Sequence, residues 1–438
     1  MKLYNSISNE LEEFIPKKEK VLNMYVCGPT VNKRTHLGHM YPVIFFDTVK
    51  RYFEYLGYEV NYASNFTDVD DKIIEAAIEE NVTEKDIADK YAALYLSDLH
   101  KLNCEDVTYR PRVTEYMSDI IKFISLLLEK GYAYQSGDDI FFSIDMIKDY
   151  GKLSNQVISS LDYGNRIDVD DNKKNPYDFV LWKKTKEGIK WDAPFGTGRP
   201  GWHTECVVMV NKIFGMDLDI HGGGIDLKFP HHENEIAQAN AAYNNNLARY
   251  WMHNGHLMLN GEKMSKSIGN VLYVDDILKT YNSNIIRLAI LKNHYRLPLS
   301  LTEKLYLECG TIDDKLNNVL KQANVLIHLN NIKIGLITKD NVVEEYMNND
   351  FNTSNVITYL LELIKNLNNA IRSNDNTNIS QNYDKIIIIN YILGLKYELK
   401  DLSVEDNNLY NNWINLRKEA KYEEADKLRQ QLVEKNIL

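Results

Sequence analysis

The sequence lacks any run of about eighteen apolar residues, which is the length that a membrane-spanning helix needs. Its first residues also lack the apolar core of a secretion signal, and we therefore expect a cytoplasmic protein without a membrane partner. Only four cysteines occur; they lie far apart, and no two of them form a C-x-x-C pair. This scarcity argues against a disulfide framework and favours a reducing compartment.

Positive charge is scarce as well, because 51 Lys and Arg residues face 62 Asp and Glu residues and leave a formal net charge of −11. A chain with this balance has no broad non-specific attraction for nucleic acid, although a local basic face can still contact RNA. With 44% hydrophobic and 26% charged residues, the composition is typical of globular proteins. A chain of 438 residues is long enough for several domains with a large buried core.

A strand, a turn and a helix start follow one another early in the chain. Residues 23–30 form an apolar run that is predicted to be a buried strand, with Cys27 near its end. A helical pattern then continues to Gly57, and the alternating residues 59–66 predict a second strand. Such a βαβ unit implies a parallel sheet with a right-handed crossover, and the ligands of such sheets gather at the carboxyl ends of the strands.

We predict an α/β protein with a Rossmann-type parallel sheet that is split by an α+β insertion and followed by an all-α C-terminal helical bundle. The predicted segments are 1–130, the first half of the sheet domain; 131–200, the insertion; 201–250, the second half; 251–300, a junction region; 301–400, the helical bundle; and 401–438, a short helical segment. Local patterns predict a helix over 202–214, a strand over 218–220 followed by a glycine run, a strand pair at about 251–260, and polar loops at 328–345 and 372–383.

Two short motifs point to nucleotide chemistry. His36 and His39 lie at a predicted helix start, where two imidazoles can stabilise a phosphate whose charge changes during a reaction, and Gly38 lets a ligand approach the backbone. Lys263 and Lys266 belong to a Lys-Met-Ser-Lys-Ser segment, and their mobile charges suit a departing pyrophosphate. Alone, each motif has an ordinary structural explanation, as a cap with a packing residue or as a solvated basic loop. Together and in this order, they resemble the signature of class I aminoacyl-tRNA synthetases.

A third group of residues has the chemistry of a metal site. His231 and Glu235 are spaced i and i+4, so both project from one face of a helix. Cys206 lies upstream in another predicted helix, and Cys27 ends the first strand. Two sulfurs, a nitrogen and an oxygen make a plausible zinc shell. The spacing alone leaves two alternatives open, because buried free cysteines are common and His232 could replace its neighbour as the ligand.

The chain resembles the cysteinyl-tRNA synthetase family over nearly its whole length. The segments that carry the resemblance are residues 25–31, 65–72, 201–206, 221–224, 230–235 and 263–267. The resemblance implies one Zn²⁺ per chain, bound directly by the substrate thiolate and held by Cys27, Cys206, His231 and Glu235. The implied residues of the cysteine pocket are Gly28, Thr67 and Trp202. The implied ATP-binding residues are Thr30, His36, Gly38, His39, Gly222, Gly223 and Lys266, and the implied catalytic residues are His36, His39, Lys263 and Lys266.

The family's reaction would be expected here in two steps. L-Cysteine attacks Mg²⁺-bound ATP to give cysteinyl-adenylate and pyrophosphate, and cysteine is then transferred to tRNA(Cys). A thiophilic cation would separate cysteine from serine, whereas a hydrophobic pocket gains only about 1–3 kcal/mol per small group. The expected partners are therefore ATP, L-cysteine and tRNA(Cys), and the resemblance implies a monomer.

Two other functions remain open at this point. One is a ligase of the same family that joins cysteine to an amino sugar, which would share the motifs and differ in the C-terminal part. The other is an inactive RNA- or zinc-binding paralogue, which would be expected to have lost a motif histidine or lysine, and none is lost.

The resemblance is weakest at the C-terminal end, where family members commonly continue into a short hairpin that helps to read the anticodon. We expect the helical region from residue 300 onward to follow the tRNA. The basic side chains available for phosphate contacts are Arg417, Lys418, Lys421, Lys427 and Arg429. A solvated charged helix is the alternative for this segment.

Removing the charge of Lys266 should lower the rate of adenylate formation and leave cysteine binding nearly intact, because the lysine acts on the phosphates. ATP–pyrophosphate exchange and equilibrium binding of cysteine measure the two effects in the Lys266→Ala variant. An equal loss of both would indicate misfolding and contradict this role.

Overall fold

The computed structural model describes residues 1–155, 172–259, 261–263 and 271–437. The chain divides into two compact units, one formed by Met1–Ile277 with Tyr295–Leu299 and the other by Leu278–His294 with Ser300–Leu438. Within the described ranges, no helix is both long and apolar enough to span a membrane.

The first unit is mixed α/β. Its strands are β1 (Lys2–Asn5), β2 (Glu10–Glu13), β3 (Val21–Val26), β4 (Glu59–Ala63), β5 (Ala133–Ser136), β6 (Asp139–Phe142), β7 (Phe179–Lys183), β8 (Arg199–Pro200), β9 (Leu218–Gly224), β10 (Ala248–Asn254), β11 (Leu257–Leu259) and β12 (Glu262–Lys263). Its helices are α1 (Leu37–Tyr55), α2 (Asp71–Glu80), α3 (Glu84–Lys101), α4 (Met117–Glu129), α5 (Glu205–Phe214), α6 (Glu233–Tyr243) and α7 (Val274–Ile277).

A four-stranded parallel sheet forms the centre of this unit, in the order β10-β9-β3-β4. In β3, Met24 lies opposite Ile220 of β9 and Tyr25 lies opposite Ala63 of β4. Five of the six residues of β3 are buried, as expected for a parallel strand with both faces covered. Because all four strands run in one direction, their carboxyl ends meet at a single edge.

The predicted insertion is confirmed. The strands β5, β6, β7 and β8 form a separate antiparallel sheet, and they lie in the chain between β4 and β9 of the parallel sheet. The parallel sheet is therefore assembled from two stretches of sequence that the insertion separates.

Close packing between α1 and β9 depends on a glycine. A Cβ atom on Gly222 would lie 2.1 Å from Cζ of Phe46, one of the fully buried residues of α1. The helix ends as the sequence predicts, because Gly57 adopts a φ of +79° just after the C-cap residue. Pro42 is accommodated in the second turn of α1.

Several local predictions are wrong. The strand predicted over 218–220 is too short, because residues 222–224 also pair with Met252–Asn254 of β10. The predicted helix over 202–214 begins only at Glu205. The predicted strand pair at 251–260 is two strands in different sheets, since β10 extends the parallel sheet and β11 pairs antiparallel with β12.

The second unit contains β13 (Leu299–Leu301), which begins at its boundary, and the helices α8 (Ser283–Leu291), α9 (Glu303–Leu329), α10 (Asn341–Met347), α11 (Thr353–Ser373), α12 (Asn376–Leu393), α13 (Val404–Lys418) and α14 (Tyr422–Glu434). The prediction of a loop at 372–383 is wrong, because α12 begins within this stretch and the side chain of Asp375 caps its first turn. The predicted loop at 328–345 is also too long, because Asp340 caps α10 in the same way.

Candidate active site

A cavity of about 410 Å³ lies at the carboxyl ends of the parallel strands. The predicted site residues that line it are Cys27, Gly28, Thr30, His36, Gly38, His39 and Trp202. These residues come from the end of β3, the loop after it, the start of α1 and the segment before α5. The cavity is therefore where the sequence predicts ligands of the parallel sheet to bind.

The donor atoms of the four predicted metal ligands come together near the carboxyl ends of the parallel strands. The sulfurs of Cys27 and Cys206 are 3.7 Å apart. Nε2 of His231 lies 3.6 Å from the first sulfur and 3.8 Å from the second. Oε1 of Glu235 lies 3.6 Å from the Cys27 sulfur and 3.0 Å from the His231 nitrogen. The side chains thus converge on one point from β3, α5 and the start of α6.

These separations fit a tetrahedral metal ion. With zinc–sulfur distances of about 2.3 Å and zinc–nitrogen distances of about 2.0–2.1 Å, a tetrahedral site places two sulfurs about 3.8 Å apart and a sulfur and a nitrogen about 3.6 Å apart. The donor set also suits a borderline-soft divalent ion, because it combines two thiols, an imidazole and a carboxylate.

Burial and close contact make the protonation of each side chain in this cluster depend on that of the others. Burial raises the pKa of the Cys27 thiol well above its ordinary value, whereas the hydrogen bond with Cys27 lowers the pKa of Cys206 to about 7. Burial alone would lower the pKa of His231, but the carboxylate of Glu235 beside it raises that pKa to about 10. A metal ion bound here would displace protons from the thiols and the imidazole.

Two histidines that the sequence reasoning missed orient the donors. Nε2 of His221 lies 2.8 Å from Oε2 of Glu235, and Nδ1 of His203 lies 3.1 Å from Nδ1 of His231. Such outer contacts fix the orientation of a metal-binding imidazole or carboxylate. Both histidines belong to segments that carry the family resemblance, but only the tertiary fold shows which atoms they touch.

A second combination of donors is also close. The ligand atoms of Cys27, His221, His232 and Glu235 lie within 4.8 Å of one another. Nδ1 of His232 is 2.8 Å from Nε2 of His253 in a buried pair, which leaves Nε2 as its possible ligand atom. The contacts favour His231 as the ligand, because it lies within 4 Å of both sulfurs.

The histidine pair sits at the start of α1. His36 is the N-cap residue with an extended backbone, and its ring stacks on that of His39 at a centroid distance of 3.7 Å. The backbone N–H of His39 donates to the carbonyl of His36. The two rings line the cavity beside the first turn of α1, whose positive end favours an anion.

Several predicted site residues lie elsewhere. Gly222 and Gly223 lie in β9 and do not line the cavity, whereas Gly224 does. Thr67 is buried, and its hydroxyl donates to Oε2 of Glu205 at 2.9 Å. Lys263 ends β12, and Lys266 lies outside the described residues.

The cavity has further lining residues that the sequence reasoning did not select. They include Tyr62, Ser64, Lys72, Tyr95, Asp226, Asn254 and His256. Gly255 lies between two of them, and a Cβ atom there would come within 2.4 Å of the Leu297 carbonyl oxygen. The sequence pattern that could have predicted this part of the wall is a glycine between two polar residues at the end of a strand.

Comparison with known proteins identifies the family. Residues 13–310 match the catalytic domain of class I (C) tRNA synthetases, and residues 342–398 match the DALR domain. The chain is 46% identical over 440 residues to the cysteine–tRNA ligase of Acholeplasma laidlawii, with 100% of both chains covered. The chain belongs to the class I cysteine–tRNA ligase family. The cysteine–tRNA ligase of Bacillus cereus is also similar, at 43% identity over 457 residues that cover 100% of this chain and 96% of the relative.

Solved structures of other class I synthetases share the fold of this cysteine–tRNA ligase family member. Methionyl-tRNA synthetase of Mycobacterium tuberculosis, in complex with methionyl-adenylate, matches with a TM-score of 0.62 at 13% identity, covering 85% of this chain and 89% of that one. Arginyl-tRNA synthetase of Thermus thermophilus matches with a TM-score of 0.57 at 11% identity, covering 90% and 84%. At these identities the likeness concerns the fold alone, and it confirms the predicted fold class.

Gly28 has no room for a side chain, because a Cβ atom would lie 1.7 Å from the carbonyl oxygen of Asn65. We expect Gly28→Ala to destabilise the first unit by about 2 kcal/mol and to weaken cysteine binding at the cavity wall. Thermal unfolding and cysteine binding measure both effects. The matched control is Gly310→Ala in α9, where the nearest atom would lie at 3.7 Å, and it should leave both unchanged or raise the stability. Wild-type stability of Gly28→Ala would contradict the packing argument.

Proposed function

We propose that the chain is a cysteine–tRNA ligase that activates L-cysteine with ATP and transfers it to tRNA(Cys). The observation that carries this proposal is the position of a thiol-rich donor cluster beside the His36 and His39 pair at one cavity. A substrate that binds there with its sulfur at the cluster and its carboxylate toward the histidines is a thiol amino acid. The full-length similarity to cysteine–tRNA ligases supports the same substrate.

Cys27, Cys206, His231 and Glu235 would hold one Zn²⁺. When bound, zinc supplies a Lewis acid that prefers a thiolate to a hydroxyl group and so selects cysteine over serine. Trp202 supports the pocket, because its ring stacks on His231 at a centroid distance of 4.3 Å and is 42% exposed at the cavity wall. We propose that the amino acid binds between this indole and Gly28, which both line the cavity.

Activation would require the carboxylate of cysteine to attack the α-phosphate of Mg²⁺-ATP in line, with loss of pyrophosphate. We assign His36 and His39, with Thr30 and Gly38 beside them, to the phosphates. Lys263 and Lys266 would neutralise the departing pyrophosphate. Catalysis of this kind depends chiefly on positioning and on charge stabilisation.

We propose that the six predicted segments correspond to the functional regions of the chain. Residues 1–130 and 201–250 would form the catalytic sheet, 131–200 the insertion, 251–300 the junction, and 301–400 with 401–438 the tRNA-binding part. The DALR domain match supports a tRNA-binding role for the helical part. We further propose that the protein is cytoplasmic and monomeric. We propose that its phosphate contacts include Arg417, Lys418, Lys421, Lys427 and Arg429.

ATP–pyrophosphate exchange with cysteine, followed by transfer of cysteine to total tRNA, tests the function directly. Exchange and transfer should both depend on cysteine, and serine should support neither. Exchange without transfer would favour the amino-sugar ligase. An inactive paralogue would show no exchange.

Replacing Cys206 with alanine should reduce the preference for cysteine over serine by about 100-fold, since the pocket would then discriminate only by size. The ratio of kcat/KM values in pyrophosphate exchange measures this preference, and zinc content per chain is measured in parallel. Cys104→Ala and Cys309→Ala are matched controls, because both residues are buried free cysteines outside the cluster. An unchanged preference in Cys206→Ala would rule out the zinc selection mechanism.

A further inference from the structure

A buried asparagine lies behind the cavity wall, between two segments that carry predicted metal ligands. Asn65 follows β4 by two residues, is only 1% exposed and is not among the residues that line the cavity. Neither the zinc site nor the ATP site that we propose uses it. A buried polar side chain is stable only with hydrogen-bond partners, and those partners indicate what the residue does.

The side-chain oxygen of Asn65 holds the backbone of Gly28. The amide N–H of Gly28 donates to Oδ1 of Asn65 at 2.9 Å. The last backbone pair between β3 and β4 joins Tyr25 to Ala63, so this bond lies beyond the end of the strand ladder. It therefore extends the association of the two strands to the residue that follows Cys27.

Backbone hydrogen bonds hold the next residues of both segments together. The amide of Thr67 donates to the carbonyl of Pro29 at 3.2 Å, and the amide of Val31 donates to the carbonyl of Thr67 at 3.1 Å. In this row of bonds, the acceptor for Gly28 is a side chain and not a backbone carbonyl. A mutation of Asn65 can therefore remove this one bond and leave the backbone bonds on either side in place.

The nitrogen of the same side-chain amide leads toward α5. Nδ2 of Asn65 donates to Oγ1 of Thr67 at 3.3 Å, and the hydroxyl of Thr67 donates to Oε2 of Glu205 at 2.9 Å. Glu205 is the first residue of α5, and the predicted metal ligand Cys206 is the second. The three residues that form these bonds are at most 2% exposed, so water has little access to them.

The partners of Asn65 determine the orientation of its amide group. Because a backbone N–H can only donate, the atom that faces Gly28 must be the oxygen, and the nitrogen then faces Thr67. The hydroxyl of Thr67 accepts from this nitrogen and donates its own hydrogen to Glu205. We call these three hydrogen bonds the Asn65 bridge. It connects the cavity wall at Gly28 with the start of α5.

We propose that Asn65 is a positioning residue for cysteine binding. The Asn65 bridge holds Gly28 at the cavity wall and fixes this wall relative to the start of α5, where Cys206 lies. The amino acid then meets the donor cluster and the wall at a separation that is set before it binds, so less ordering is left for the binding step. This assignment rests on the proposed function, because it takes cysteine as the ligand of the cavity.

Asn65→Ala removes two of the three bonds of the Asn65 bridge. The variant should raise the KM for cysteine in pyrophosphate exchange about tenfold and weaken equilibrium binding of cysteine by the same factor. The KM for ATP should stay within about twofold, because the bridge ends at Gly28 and Glu205 and not at the histidines of α1. Oδ1 of Asn65 also lies 4.0 Å from the sulfur of Cys206, so zinc content per chain is measured in parallel and should remain at the wild-type value.

Thr67→Val tests the Asn65 bridge even if Asn65→Ala does not fold. Valine has nearly the shape of threonine but no hydroxyl, so the variant keeps the bond between Gly28 and Asn65 and loses the two bonds toward Glu205. The KM for cysteine should rise about fivefold, and Thr67→Ser, which retains a hydroxyl, should recover most of this loss. Combining Thr67→Val with Asn65→Ala should add little to Asn65→Ala alone, because both changes break the same bridge.

The matched control is Asn61→Ala in β4. Nδ2 of Asn61 donates to Oδ1 of Asn23 in β3 at 3.2 Å, so this asparagine also connects the two strands. It lies within the strand ladder and does not line the cavity. Asn61→Ala should therefore leave both KM values and cysteine binding unchanged, and thermal unfolding of every variant reports any general loss of stability.

Three results would overturn the assignment. If Asn65→Ala raised the KM values for ATP and cysteine equally, or if Asn65→Ala and Thr67→Val changed neither, Asn65 would have a structural role only. An undiminished effect of Thr67→Val in the Asn65→Ala background would show that Thr67 acts on the substrate without the Asn65 bridge. A wild-type protein without exchange would instead refute the proposed function itself. The two failures are distinguishable, because the first is read as a ratio of KM values in an active enzyme.

Discussion

The parallel pairing of β3 between β9 and β4 is the constraint on which the site depends. Backbone hydrogen bonds fix Met24 against Ile220 and Tyr25 against Ala63, so the chain must leave β3 at the same edge as its two neighbours. Cys27 and Gly28 follow within two residues, and the amide of Cys27 still donates to the carbonyl of Gly222. A shift of one residue in this register would turn Cys27 away from Cys206. It would also separate Gly28 from the Asn65 carbonyl, whose close approach leaves no space for a side chain.

Burial then makes the polar groups at this edge interdependent. Glu205 is buried, and its burial raises its pKa well above the ordinary value, yet its carboxyl group has a partner in the hydroxyl of Thr67. Glu235 lies between His221 and His231, with its carboxylate oxygens 2.8 Å and 3.0 Å from their Nε2 atoms. Removing one member of such a pair leaves the other buried without a partner, which costs more than the pair contributes. Buried pairs of this kind favour a single arrangement of the side chains at the base of the cavity.

The sequence predicted those features that depend on local spacing. His231 and Glu235 meet at 3.0 Å with i and i+4 spacing, and His36 and His39 lie at the start of α1, so their placement needed no knowledge of distant contacts. Residues placed by long-range contacts were missed: Tyr95 of α3 reaches the cavity with its ring against Phe66, and His221 meets Glu235 across two elements. The strand predicted over 218–220 extends to Gly224 in the structure, because the ladder with β10 overrides the weak strand propensity of the glycines. Two polar stretches were predicted as loops although helices begin inside them. The side chains of Asp340 and Asp375 cap the first turns of α10 and α12 there.

The strand order also bears on how the three proposed substrates meet. One carbonyl carbon must first lie beside the α-phosphate of ATP and then be open to a ribose hydroxyl. Cys27 follows β3, the strand between β9 and β4, and it lines one cavity together with His36 and His39. If the phosphates of ATP bind at the start of α1, as we propose, an amino acid fixed by its sulfur near Cys27 would present its carboxyl group toward them. Much of the entropic cost of activation would then be met when cysteine binds.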